Sequence, residues 1–292
     1  MAGGHFFQSA VANYNPPPSG PAGFDPESFG DLYYWWDFTD DSTMSFSSGT
    51  VISSISNKAA RTSGNETLNA VDGTPTFIDS DQGSRFDTSD AISNTATAGT
   101  GGNLDCLFSG VDATVVVVNK LVTIATSDQF ADQIWGAAGT GIDDLDGTVV
   151  QKTSGLSGTK CSTDNNASAT YNLIYSVHDY TGPGRYVYRT YESAVVQPTV
   201  DRAMLAWAVD FSATGYNNIG ISRNGQAFCG GAIGGNRLNN TGTNRGFKVN
   251  ARSRSGAAFT ADQYVSHVLI YNGLLSDSDI LDLYNNWNAS LS

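Results

Sequence analysis

Residues 113–120, ATVVVVNK, hold an unbroken run of valines. A strand with one wet face alternates apolar with polar, so a continuous β-branched run reads as a strand buried on both faces. A chain built around such a strand must cover it from two sides. A second segment, AMLAWAVDF (203–211), puts Leu205, Trp207, Val209 and Phe211 on one face and Met204, Ala206 and Ala208 on the other. Residues 171–192, YNLIYSVHDYTGPGRYVYRTYE, read as a hairpin turned by Thr181-Gly182-Pro183-Gly184, with Tyr171 and Tyr175, and Tyr186 and Tyr188, pairing up on shared faces. With 32 glycines and only 15% charged residues, the composition fits many short strands joined by tight turns. The class is all-β, and 292 residues suffice for one large β domain.

The formal net charge is -13, and the 15 basic residues are scattered rather than clustered, which argues against a nucleic-acid partner, because phosphate binding relies on clustered Lys and Arg. Of the 28 acids only Glu27, Glu66 and Glu192 are glutamates; the aspartates suit turns and caps. Cys106, Cys161 and Cys229 lie far apart without a C-x-x-C spacing and read as free thiols, neither a disulfide framework nor a zinc site. The opening residues carry no basic n-region and no apolar core of signal length, and no run approaches membrane-spanning length. The expectation is a chain made in a reducing cytoplasm, or one that leaves it by a route other than ordinary secretion, with no membrane insertion.

Residues 1–30 include NPPPSGPAGFDPESFG and read as an extended Pro/Gly-rich arm ahead of a body at 31–292. Phe6, Phe7, Tyr14, Pro16, Pro17 and Pro18 are its candidate docking residues. At the other end the period changes. Ser276 with Asp279 makes a capping-box-like start, and Ile280, Leu283, Tyr284 and Trp287 follow at helical spacing, predicting one short amphipathic helix. Asp277 and Asp279 sit at its positive end and complement the helix dipole.

Two stretches are candidate sites. In LYYWWDFTDD (32–41), alternation sends Tyr34 and Trp36 to one face and Tyr33 and Trp35 to the other, which favours a core strand over a sugar-stacking platform. Asp37, Asp40 and Asp41 after it are expected to bond the turn backbone. In IWGAAGTGIDDLDGTVV (134–150), Trp135 precedes a Gly-rich loop with Asp143, Asp144 and Asp146, a density of acceptors that suits sugar hydroxyls or a calcium ion. The plainer reading is a hairpin turn at Asp146-Gly147. Carbohydrate binding there requires Trp135 to be exposed. GGAIGG (230–235) reads as a flexible connection.

Signs of catalysis are few. There is no G-x-S-x-G elbow and no H-E-x-x-H, His5, His178 and His267 stand alone, and no spacing marks a pair of acid/base carboxylates. The expectation is a protein that is not an enzyme.

Three segments carry a family likeness: GDLYYWWDFTDDSTM, with Trp35, Trp36, Asp37 and Asp40; GSRFDTSDAI, with Phe86, Asp87, Ser89 and Asp90; and YVSHVLIYNGLLSDSDILDLYNNW. In that order they bracket residues 31–288, and the body resembles the laminin-G-like, or concanavalin A-like lectin/glucanase, jelly-roll domains, in the variety common in bacteriophage virion and bacterial surface proteins. The resemblance implies two packed antiparallel sheets, frequent carbohydrate binding and occasional calcium. The expected function is a non-enzymatic virion protein, a capsid decoration or appendage subunit carried in many copies on the virion exterior and docked on capsid or tail neighbours by its arm. The alternatives are a carbohydrate-binding receptor protein directed at host-surface glycans and, behind it, a polysaccharide-cleaving glycosidase. No cofactor is required, with Ca2+ an option.

Overall fold

The computed structural model describes residues 23–60, 67–94, 112–123, 132–139, 156–166, 170–179, 186–192, 202–210, 216–234, 245–250 and 262–291. The strands are β1 (Leu32–Asp37), β2 (Met44–Ser48), β3 (Val51–Ser56), β4 (Thr67–Asp72), β5 (Thr76–Asp79), β6 (Gly83–Phe86) and β7 (Ala91–Ser93). They continue with β8 (Ala113–Thr123), β9 (Asp132–Gly139), β10 (Leu156–Asn166), β11 (Thr170–Asp179), β12 (Tyr186–Glu192) and β13 (Ala203–Asp210). β14 (Tyr216–Arg223), β15 (Cys229–Gly234), β16 (Arg245–Val249) and β17 (Asp262–Asn272) precede one helix, α1 (Asp277–Ser290). The fold is all-β, and every strand pairing is antiparallel.

The pairings resolve into two layers. In the first, β17 lies between β8 on one side and β1 and β6 on the other, and the ladder continues from β8 through β13 and β14 to β15. The second runs β2-β3-β4-β7-β16-β9-β10-β11-β12. β5 forms the corner, pairing with β6 of the first layer and touching β3 of the second at Val51 and Thr76.

The valine run is covered from both sides. Val115 and Val117 enter the core between the sheets with Leu205, Trp207, Ile134, Trp135 and Phe247, whereas Val116 and Val118 join Met204 and Ala206 on the outer face. Ile280, Leu283 and Trp287 of α1 close that outer face. Ser276 and Asp279 form the capping box at the helix start, and Asp277 accepts a hydrogen bond from the Phe228 amide at 2.9 Å.

β1 departs from simple alternation. A bulge between Leu32 and Tyr34 turns Tyr33 to the same core as Tyr34 and Trp36, and leaves Leu32 and Trp35 together beneath the helix. An extra residue shifts the side-chain period by one, which no count from the sequence anticipates. The aromatic stretch is core on both faces, as its composition suggested.

Three further expectations meet the structure differently. The hairpin at 171–192 is present as β11 and β12, but its turn and tyrosine side chains lie outside the described residues. GGAIGG is no loose connection, because residues 229–234 form β15, with Gly230 opposite Gly220 and Gly231 opposite Ile219. The glycines after Trp135 likewise continue β9 to Gly139 and pair with β10 and β16 instead of opening a loop at once. Paired neighbours, β14 for residues 229–234 and both β10 and β16 for β9, supply the ladder bonds that these glycine-rich segments could not obtain alone.

Residues 23–30 pack on the body. A single 3-10 turn at Pro26–Ser28 is capped by Asp25, the Asp25 amide donates to Asn286 Oδ1 at 2.9 Å, and Tyr271 donates its hydroxyl to the Pro26 carbonyl at 3.0 Å.

Candidate functional site

Trp135 is not a surface platform. It is fully buried, stacked on Phe247 and edge-on to Trp207 with ring centroids 5.7 Å apart in both pairs. Its place on β9, between β10 and β16, points the indole into the sandwich core, so it cannot stack on a sugar. Asp143, Asp144 and Asp146 lie outside the described residues, as do Phe6, Phe7, Tyr14, Pro16, Pro17 and Pro18. Among the described residues no group of three or more His, Cys, Asp and Glu side chains converges as a metal site.

A cleft opens elsewhere, on the helix side of the first sheet. It has a volume of about 540 Å³, and Phe24, Trp35, Trp287 and Leu291 form its apolar wall. Asp37, Lys58, Asp81, Arg202, Ser266 and His267 supply the polar one. Aromatic rings beside a few convergent polar groups are the common make-up of a small-molecule site.

The polar wall is built from the end of β1. Asp37 follows Trp35 by two residues and so shares its face. Its Oδ1 accepts from the Thr39 amide at 3.1 Å and the Thr39 hydroxyl at 2.6 Å, closing the Asx turn expected from the sequence. Residues 57–59 run along the edge of β1: Asn57 Oδ1 accepts from the Trp35 amide at 2.8 Å, and the Lys58 amide donates to the Trp35 carbonyl at 2.8 Å. This strap aims Lys58 back over the strand. Its ammonium donates to Asp37 Oδ2 and Asp40 Oδ2, both at 2.8 Å, and sits 4.5 Å from the Trp35 ring centre. Asp40 also accepts from the Ser42 amide and hydroxyl.

His267, from β17, brings Nδ1 to 3.2 Å from Asp37 Oδ1, within ion-pair range but off the line of a hydrogen bond. The Phe24 ring lies over the imidazole at 4.7 Å between centroids. Burial alone would raise the Asp37 carboxyl, but His267, Lys58 and Thr39 outweigh it and hold it well below the usual carboxylate range. Burial likewise opposes the Lys58 charge, and the two aspartates overcome it to raise its pKa.

Arg202, just before β13, also lines the cleft. Its Nη1 donates to the Asp81 carbonyl, and its buried Nε has no hydrogen-bond partner. Burial lowers its pKa, against the opposing fields of Asp79 and Asp81. Sequence reasoning found Asp37 through its strand-and-turn pattern. It missed Lys58, Arg202 and the cleft itself, and saw His267 only as an isolated histidine; these residues are far apart in the chain and meet through sheet pairing and through the strap at 57–59.

No family model matches the sequence, and no curated protein is similar to it. Solved structures do share the fold. A GH54 α-L-arabinofuranosidase variant soaked with 4-nitrophenyl α-L-arabinofuranoside matches at TM-score 0.53 and 11% identity, covering 90% of this chain and 60% of its own. A botulinum neurotoxin type C structure, from work tying cell entry to two ganglioside molecules, matches at TM-score 0.52 and 9% identity, covering 88% and 51%. The binding domain of botulinum neurotoxin DC in complex with SialylT matches at TM-score 0.50 and 9% identity, covering 88% and 52%. The chain spans about half to three-fifths of the length of these structures. At such identities the likeness is one of fold, an antiparallel β-sandwich.

Proposed function

We propose that this protein is a non-catalytic glycan-binding module that holds a sugar in the cleft beside Asp37, Lys58 and Arg202. The observation that carries this reading is one recess in which Phe24, Trp35 and Trp287 stand beside charged and hydroxyl-bearing groups. Phe24, part-exposed where Trp35 and Trp287 are largely buried, offers a ring to the C–H side of a pyranose, and charged groups bond its hydroxyls. The fold neighbours add support, since three of them were studied with a sugar or ganglioside.

Asp37 and Asp81 are two carboxylates lining the cleft, the minimum for glycoside hydrolysis. Against that chemistry, Asp37 is held ionised, and its oxygens are committed to Thr39 and Lys58 beside His267. A general acid must keep its proton near neutral pH, and a fully bonded carboxylate is a poor nucleophile. Binding without cleavage is the reading these contacts favour.

A glycan array probed with the wild type and with the Lys58→Met/Asp81→Asn double variant tests the reading. Retention by the wild type, lost about tenfold or more in a variant with an unchanged near-UV spectrum, is the expected result. Equal retention by both would remove the cleft from consideration, and release of reducing ends from a retained glycan would replace binding with hydrolysis.

For the setting of the module we propose the exterior of a bacteriophage virion, where many copies would convert weak sugar affinity into avidity. The arm read from the sequence supports this. Deleting residues 1–22 should abolish incorporation into particles; unchanged incorporation would remove the arm from assembly.

A further inference from the structure

The two cations of the cleft differ in what they lack. Lys58 already has its anions, since its ammonium contacts both Asp37 and Asp40 at 2.8 Å. Among the described residues Arg202 makes one hydrogen bond, from Nη1 to the Asp81 carbonyl, and no carboxylate lies within ion-pair distance of it. A guanidinium carries five donors in a planar fork that matches a carboxylate with two parallel bonds. Desolvating such a cation without an anion is costly, and an unfilled donor adds to that cost. Its Nε is shut off from solvent, but the side chain is only part-buried and lines the same cleft as Trp35 and Trp287, so the rest of the guanidinium fork can meet a ligand there.

We infer that the cleft selects glycans with a carboxylate-bearing sugar, whose acid group pairs with the Arg202 guanidinium while the ring lies against the aromatic wall. This rests on the glycan-binding reading and names the ligand class within it. The preference runs against the overall charge of -13, which disfavours anions at a distance. Selection therefore comes from short-range pairing at Arg202 and not from steering. Two sources share the required chemistry: a hexuronic acid, with its carboxylate on the last ring carbon, and a nonulosonic acid such as the terminal residue of a sialylated glycan, with its carboxylate on the anomeric carbon.

The test uses matched ligands with the full chain: methyl glucuronide against methyl glucoside, and 3'-sialyllactose against lactose, titrated by ligand-observed NMR. The expected result is a preference of about tenfold for the acid in one pair, identifying the source, which falls to near unity in Arg202→Gln and to an intermediate value in Arg202→Lys. The wild-type ratio needs no variant and stands even if Arg202→Gln folds poorly. Equal binding of acid and neutral partners would overturn the inference and leave glycan binding intact. An acid preference that survives in a folded Arg202→Gln would overturn the role of Arg202. Absence of binding to all four sugars and to the glycan array would overturn both readings together.

Discussion

Two aspartate turns, at Asp37–Asp41 and Asp87–Asp90, follow the two β-strands β1 and β6 and use the same local chemistry. Asp37 accepts from Thr39, and Asp87 accepts from the Ser89 amide and hydroxyl at 2.7 and 2.6 Å. Each turn holds one buried carboxylate, Asp37 at 4% exposure and Asp90 at 3%. Their electrostatic settings are opposite. Asp37 meets Lys58 and His267 and is pulled down. Among the described residues the Asp90 carboxylate accepts from the backbone amides of Thr74 and Asp87, at 2.6 and 2.9 Å, but burial and the nearby Asp87 charge outweigh these bonds and the field of Arg85 and push it up.

The second turn is clipped to the core by neutral groups. Asn250 donates to the Asp87 and Asp90 carbonyls and accepts from Gln263, which in turn accepts from Asn119. A turn held by amides is a structural clasp; a turn held by a lysine and a histidine, opening on a cleft, can also present charge to a ligand.

The largest way to break this contrast is Asp37→Asn, which leaves Lys58 facing an amide inside the wall. A loss of about 3 kcal/mol in urea unfolding at neutral pH is expected, the cost of stranding part of a buried ion pair. The folded pKa of Asp37 lies below its ordinary value of 3.8, so its contribution is present above about pH 4 and fades as pH falls through the folded value. The deficit of the variant should shrink in acid; a deficit constant with pH would mean that packing and not charge holds the turn.

Gly73→Ala strikes the other turn. Gly73 has φ +64, and an added Cβ would fall 2.1 Å from Asp90 Oδ1, so a loss of about 2 kcal/mol is expected in the same assay. A neutral outcome would show the clasp to be soft. Asp90→Asn should cost about 1 kcal/mol, with the opposite pH dependence. The folded pKa of Asp90 is raised, so its contribution is complete below about pH 4 and is lost as pH rises through the folded value. The variant deficit should therefore be greatest in acid and decline toward neutrality, and matching trends for positions 37 and 90 would erase the contrast.

The smallest effect is expected for Lys58→Met. Its side chain is 35% exposed, so solvent screens the pair and about 1 kcal/mol is the expected loss. A loss equal to that of Asp37→Asn would show that the lysine supplies all of the stabilisation and His267 none.

The sequence by itself determined the elements whose cause is local. A β-branched run fixes a doubly buried strand at 113–118, strict alternation fixes the faces of residues 204–207, and Ser276 with Asp279 fixes where the helix starts, because side-chain period and capping are properties of neighbours in the chain. Tertiary structure decided the rest. The β1 bulge moved Tyr33 to the core side, sheet partners made a strand of residues 229–234, and the interior claimed Trp135. The candidate site belongs to the same class: Asp37, Lys58, Arg202 and His267 come from four separate segments, which are brought together by the pairing of β1 with β17 and of β8 with both β17 and β13, and by the hydrogen bonds of residues 57–58 along β1. Charge and burial act through space, so the ionisation of Asp37 and the unmet donors of Arg202 are set by neighbours that the linear order does not reveal.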